Sequence, residues 1–197
     1  MGYFPAPVLS AASGAFDLSS VKRVGLAGTK SVYYTTPING NAYSTFGWAA
    51  DILSVAPLLV PKRIEIDRIG LRVTTTGTAT LSRLGLYADN GNVYPSSLVL
   101  DAGTVPVDTT GFKTTDIAQV LNPGLYWLAT VHNGGLTLNV GTPANQINVL
   151  GHDPTTNAQG FARIDAPFPF APLPDPFPAN GNYLVGGFRL VFVRVSG

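Results

Sequence analysis

The chain has no cysteine, one methionine, two histidines and a single glutamate, Glu65, and Asp, Glu, Lys and Arg together make up only 12% of it. Without cysteine there is no disulfide and no thiol chemistry, and two histidines are too few for a zinc centre. Surface helices are built largely from Glu, Lys, Gln and Ala, so the near absence of Glu argues against a helical protein. Soluble domains carry about 25% charged residues. A chain with half that amount is expected to cover part of its exterior with other subunits. The charge that is present nearly cancels, at +1, and is scattered, so no basic patch marks a partner nucleic acid. Mean hydropathy is +0.22, yet the longest stretch free of formal charge, Ile117 to His152, is interrupted by Pro123, Gly134-Gly135 and several Asn. No membrane partner is expected from such a stretch.

The first residues, MGYFPAPVLSAASGAF, have no early positive charge and carry Pro5 and Pro7, which argues against a secretory signal. Ala6 stands where a myristoylation signal needs Ser or Thr. Residues 1–30 are small, polar and without periodicity. They read either as a loosely ordered terminus or as an extended arm that docks on a neighbouring subunit through residues such as Tyr3 and Phe4.

What the chain does have is turn punctuation. Its 22 Gly and 16 Pro are spread between short apolar runs, as in an all-β protein of many short strands. Ser31–Thr35, Thr45–Val60, Arg63–Thr74, Thr78–Tyr87, Leu98–Leu100, Gly103–Val107, Phe112–Leu121, Leu125–Val131, Leu136–Val140 and Tyr183–Val195 read as strand segments, for roughly eight to ten strands. In the Arg63–Thr74 segment, Ile64 and Ile66 share one parity while Ile69, Leu71 and Val73 share the other. One extra residue near Asp67-Arg68 brings all five to one face, which predicts a β-bulge there. Residues 141–182 read as a long connection ending in a Pro-rich loop, 164–182. The fold expected is a jelly-roll-like antiparallel β-sandwich over 31–197 with an N-terminal arm over 1–30.

Three blocks in order, VPKRIEIDRIGLRVTT (60–75), RLGLYADNGNVYPSSLVLDAGTV (83–105) and LNPGLYWLATV (121–131), follow a Tyr-rich entry strand, Val32-Tyr33-Tyr34. Together they resemble a jelly-roll-like domain of tailed-bacteriophage virion proteins, of the tail-fibre, receptor-binding or head-surface type. The resemblance spans about half the chain. It implies a homotrimer on the exterior of the phage particle whose partners are sister copies and other virion proteins. Such domains are usually appended to longer proteins, which here favours a short fibre, a baseplate component or a capsid-surface component.

No catalytic constellation is evident. His132 sits at a strand end before a turn and His152 lies in a loop, both read as surface or turn residues, and no serine lies in G-x-S-x-G. Glu65 and Asp67 share strand parity and are placed to flank a groove as a glycosidase pair does, but a solvent face of the strand explains the same alternation. Asp89-Asn90-Gly91-Asn92 offers oxygens but not the spacing of a calcium loop, and GLAG at 25–28 lacks the Lys-Ser/Thr of a phosphate loop. Neither a cofactor nor a metal is expected. The distinctive feature is the run in which six prolines, Pro167 to Pro178, interleave with Phe168, Phe170 and Phe177. Proline pre-orders the backbone, so these rings either clamp a neighbouring subunit or host receptor, or cover the end of their own sandwich. The function expected is a virion structural protein that acts by subunit assembly. The alternative is an adhesin for host-surface glycans, with Trp48 or Tyr94 as the aromatic platform and Trp127 buried.

Overall fold

A computed structural model describes residues 33–38, 43–142, 147, 149–151, 155 and 160–196. The expected arm, with Tyr3 and Phe4, lies outside these residues, as do His152 and the 25–28 loop. Every regular element among the described residues is a strand: β1 (Tyr33–Tyr34), β2 (Ser44–Trp48), β3 (Ile52–Val60), β4 (Ile64–Thr75), β5 (Leu81–Asp89), β6 (Pro95–Pro106), β7 (Gly111–Leu121), β8 (Gly124–His132), β9 (Leu136–Gly141), β10 (Phe161–Pro167), β11 (Asn182–Val185), β12 (Phe188–Arg189) and β13 (Val191–Val195).

All pairing is antiparallel, in two sheets. One contains the path β2-β9-β4-β7 and the other the path β3-β8-β5-β6. The chain therefore crosses between sheets at β2–β3, β3–β4, β4–β5, β6–β7, β7–β8 and β8–β9, which is the wiring of an eight-stranded jelly roll. The remaining strands extend this frame. β10 and β11 add to the second sheet beyond β3. β9 touches β4 only at Val73–Leu138 and Thr75–Thr137. Beyond that point the two strands part and the C-terminal strand fills the gap, β12 against β9 and β13 against β4, with β1 on the far edge of β13.

The bulge expected near Asp67 is present. β4 shifts register there against both neighbours, between Ile66 and Arg68 on the β7 side and between Arg194 and Val195 on the β13 side. As a result Ile66, Ile69, Leu71 and Val73 are all buried in the core between the sheets, with Ile64 packed against it. Leu58, Leu84, Leu86 and Leu128 meet them from the second sheet. Pro57 lies in the middle of β3 but past the end of its pairing with β10, which stops at Val55. That stretch has one open edge, where a missing N–H is tolerated. β9 and β12 approach so closely at Gly141 that any added Cβ would overlap the Phe188 ring.

Four expectations need correction. The runs Leu98–Leu100 and Gly103–Val107 belong to one strand, β6, which continues through Gly103 at its left-handed φ of 75°. The segment 45–60 is two strands, broken at Asp51, which adopts a left-handed φ of 59°. Residues 141–182 are not one connection, since β10 lies within them. Its buried apolar positions are Ala162, Ile164 and Ala166, two of them small, and Arg163 and Asp165 alternate with them, so the run has the pattern of a polar loop. The last segment is three strands, interrupted at Gly186-Gly187 and at Leu190.

Candidate functional site

The Pro-rich segment covers its own sheet. Leu53, Val55, Tyr87, Trp127, Ala129, Val131, Ile164 and Ala166 form an apolar outer face on the second sheet, and Leu173 and Phe177 close over it. Phe177 is 3% exposed, and its ring meets Tyr87 and Tyr94 edge-on at 5.3 and 5.8 Å. Phe168 and Phe170 are half-buried against the same cluster. Backbone polar groups in a proline run have few partners of their own, and here the frame supplies them. Tyr87 Oη donates to Pro174 O at 2.8 Å and Tyr94 Oη to Pro178 O at 2.7 Å. Phe177 N donates to Ser96 O, Leu173 N to Asp101 Oδ2, and Phe168 N and Phe170 N to the carbonyl and carboxylate of Asp51. Asp51 holds its left-handed backbone in return for these contacts. Of the two readings open from sequence, Phe177 occupies the covering one.

Trp127 is fully buried and donates Nε1 to Asp89 Oδ1 at 2.9 Å. Trp48 is buried as well, at 8%, with two guanidinium groups over its ring: Arg189 Cζ lies 4.4 Å and Arg163 Cζ 5.1 Å from the ring centre. Tyr94 is half-buried with its hydroxyl bound to the Pro-rich segment. Neither Trp48 nor Tyr94 presents a bare ring face to solvent.

His132 is not the surface residue expected from its place before a turn. It ends β8 on the face turned to the other sheet, with no exposed area. Its Nδ1 lies 2.9 Å from Ser82 Oγ, which in turn lies 3.0 Å from Thr130 Oγ1. Burial and the nearby positive charge of Arg189 hold its pKa well below 6.5, so the ring is neutral at pH 7. A serine beside a histidine is the start of a nucleophile–base pair. Here Ser82 and Thr130 have no solvent-exposed area, and Nε2 has no partner among the described residues. The trio ties β5 to β8 inside the sandwich. Sequence reasoning missed it because Ser82 and His132 are fifty residues apart and meet only through β5–β8 pairing.

The Glu65 and Asp67 carboxylates are each taken by an arginine. Arg63 binds Glu65 at 3.3 Å, and Arg194 grips Asp67 with two bonds of 2.7 and 2.8 Å. The Arg194 hydrogen bond, aided by its charge and that of Arg68, lowers the Asp67 pKa further, so this group stays ionised and makes a poor general acid. In the 89–92 turn, Asp89 Oδ2 accepts from Gly91 N and Asn90 Oδ1 from Asn92 N, each at 2.7 Å. Among the described residues no group of three or more His, Asp or Glu is arranged to hold a metal.

The outer face of the first sheet is different. Tyr33 (β1), Phe112 (β7) and Phe192 (β13) form an edge-to-face chain, with centroids 4.9 and 5.7 Å apart. Phe112 is 40% exposed and Val120, farther along β7, 42%. The ion pairs Arg68–Asp116 and Arg194–Asp67, both at 2.7 Å, lie on the same sheet. β7, eleven residues long, pairs only with β4 among the described residues, so its other edge carries free backbone groups. No family model matches the chain, and no curated protein or solved structure shows significant similarity to it.

Proposed function

We propose that the protein is a bacteriophage virion structural protein, exposed on the particle as a short tail fibre, baseplate or capsid-surface component, and that it works by subunit assembly. The observation that carries this reading is the contrast between the two outer faces. The second sheet is roofed by residues of its own chain, whereas the first sheet leaves Phe112 and Val120 open beside an edge of β7 that is unpaired among the described residues. Exposed aromatics flanked by arginine ion pairs have the composition of an interface core with a polar rim. A sister copy is the occupant the reading commits to, since the low charge of the chain suits burial against an equally apolar surface. The sequence resemblance to phage virion domains supplies the biological setting and the expected threefold symmetry.

Light scattering on the purified protein tests this. A trimer of the 20.6 kDa chain is expected, dissociating when Phe112→Asp is introduced while the β-sheet spectrum stays unchanged. A wild-type protein that stays monomeric at high micromolar concentration would overturn the assembly reading. Strong binding of that monomer to a glycan array would move the function to the adhesin class.

A further inference from the structure

We propose that the buried end of the sandwich around Arg189 is a binding site for a small monovalent inorganic anion, with chloride as the type ligand. The argument begins with charge. Arg189, in β12, is 3% exposed, and burial lowers its pKa only to about 10, so it is a cation at pH 7. Among the described residues it forms no ion pair. Its partners are a carbonyl, Ile52 O, 3.1 Å from Nη1, and the face of Trp48. The nearby carboxylate, Asp165, is already bound to Arg163 at 2.9 Å, and the Arg163 guanidinium adds bonds to Val185 O and Gly187 O. Two guanidiniums thus share one carboxylate, which leaves one net positive charge among the described residues. An unpaired ion out of water is among the least tolerated features of a protein interior.

Hydrogen-bond accounting points the same way. Three buried nitrogens of this region have no partner among the described residues: Arg189 Nε, Trp48 Nε1 and His132 Nε2. Arginine and tryptophan nitrogens can only donate. His132 joins them when Ser82 donates to Nδ1, because the single proton of the neutral ring then sits on Nε2. The three belong to β12, β2 and β8, and Arg189 links them, lying over the Trp48 ring and close enough to His132 to depress its pKa. Donors without acceptors around an uncompensated cation ask for a negatively charged acceptor. Asp165 Oδ1 is an unpartnered buried acceptor nearby, but one carboxylate cannot balance both guanidiniums. Trp48, His132 and Arg189 are all nearly fully buried, so the ligand proposed is a single-atom ion in preference to the bulkier sulfate or phosphate. Such an ion would lock the C-terminal strand to β2 and β8 where β9 and β4 part.

Thermal unfolding at pH 7 and constant ionic strength, with chloride exchanged for gluconate, is the test. The expected result is a saturable rise in Tm with chloride, equal to a factor of about a hundred in the folded-to-unfolded ratio when chloride is at 100 times its Kd. Bromide should substitute, and crystals grown in it should show an anomalous peak within hydrogen-bonding distance of Arg189 Nε. Arg189→Met should abolish the halide response. Should that variant fail to fold, Trp48→Phe keeps the ring, removes one donor and should weaken chloride binding by about tenfold. A Tm indifferent to halide, or bromide crystals with only water at Arg189, would overturn the proposal. Neither outcome depends on the oligomeric state.

Discussion

Replacing Phe177 by alanine removes a ring that is 3% exposed and touches Tyr87, Tyr94 and the outer face of the second sheet. Truncating a buried phenylalanine costs about 3–5 kcal/mol, the lost transfer energy plus the cavity left behind. The upper part of that range applies here, because the proline backbone is pinned on both sides of the ring by Tyr87 and Tyr94 and cannot collapse into the space. At about 2–4 °C per kcal/mol for a chain of this size, Tm should fall by roughly 10–15 °C. Urea unfolding followed by tryptophan fluorescence suits the measurement, since Trp127 lies in the same cluster. The half-buried Phe168 and Phe170 should each cost about 1–2 kcal/mol on the same substitution. The reasoning fails if Phe177→Ala costs less than about 1 kcal/mol. It also fails if the variant keeps its Tm but loses its oligomeric state, because the ring would then belong to a neighbour.

Three further outcomes are expected. His132 has a folded pKa well below its ordinary 6.5, so as pH falls under 6.5 the unfolded chain takes a proton that the folded one refuses. Wild type should therefore lose up to about 1.4 kcal/mol per pH unit relative to His132→Asn, while above pH 7 the two slopes coincide; parallel curves down to pH 5 would contradict the assignment. Asp67 acts with the same sign at lower pH: its lowered carboxyl pKa contributes stability above its ordinary 3.8 that is lost as pH falls through the folded value. Asp67→Asn should accordingly lower Tm at pH 7 and leave it unchanged near pH 2, as read by calorimetry. Gly141→Ala places a methyl in the Phe188 ring and forces β12 from β9. A loss of about 1–3 kcal/mol is expected, and hydrogen exchange should rise first at Phe188 and Arg189.

Much of the fold was legible because β-structure writes a local signature. The period-two alternation of β4, β5 and β8 and the turn at 89–92 are properties of neighbouring residues, and the Asp67 bulge follows from counting parity along one strand. β10 escaped because two of its three buried apolar positions are alanines and its other face carries Arg163 and Asp165, an ion pair whose arginine lies over Trp48 only once β2 and β10 converge. The same limit hid the Ser82–Thr130–His132 trio and the isolated charge of Arg189. Each depends on which strand lies across from which, and the antiparallel register that decides it joins residues tens of positions apart. The phenylalanines of the proline run show the division within a single feature. Their spacing showed that three rings would be presented by a stiff backbone, whereas only the proximity of an uncovered outer sheet face settled that Phe177 turns inward. Local pattern thus determined strands, turns and the stiffness of the loop, because these rest on backbone geometry and side-chain alternation. Burial, charge pairing and the choice of exposed face came from the tertiary structure, because they depend on what the rest of the chain brings alongside.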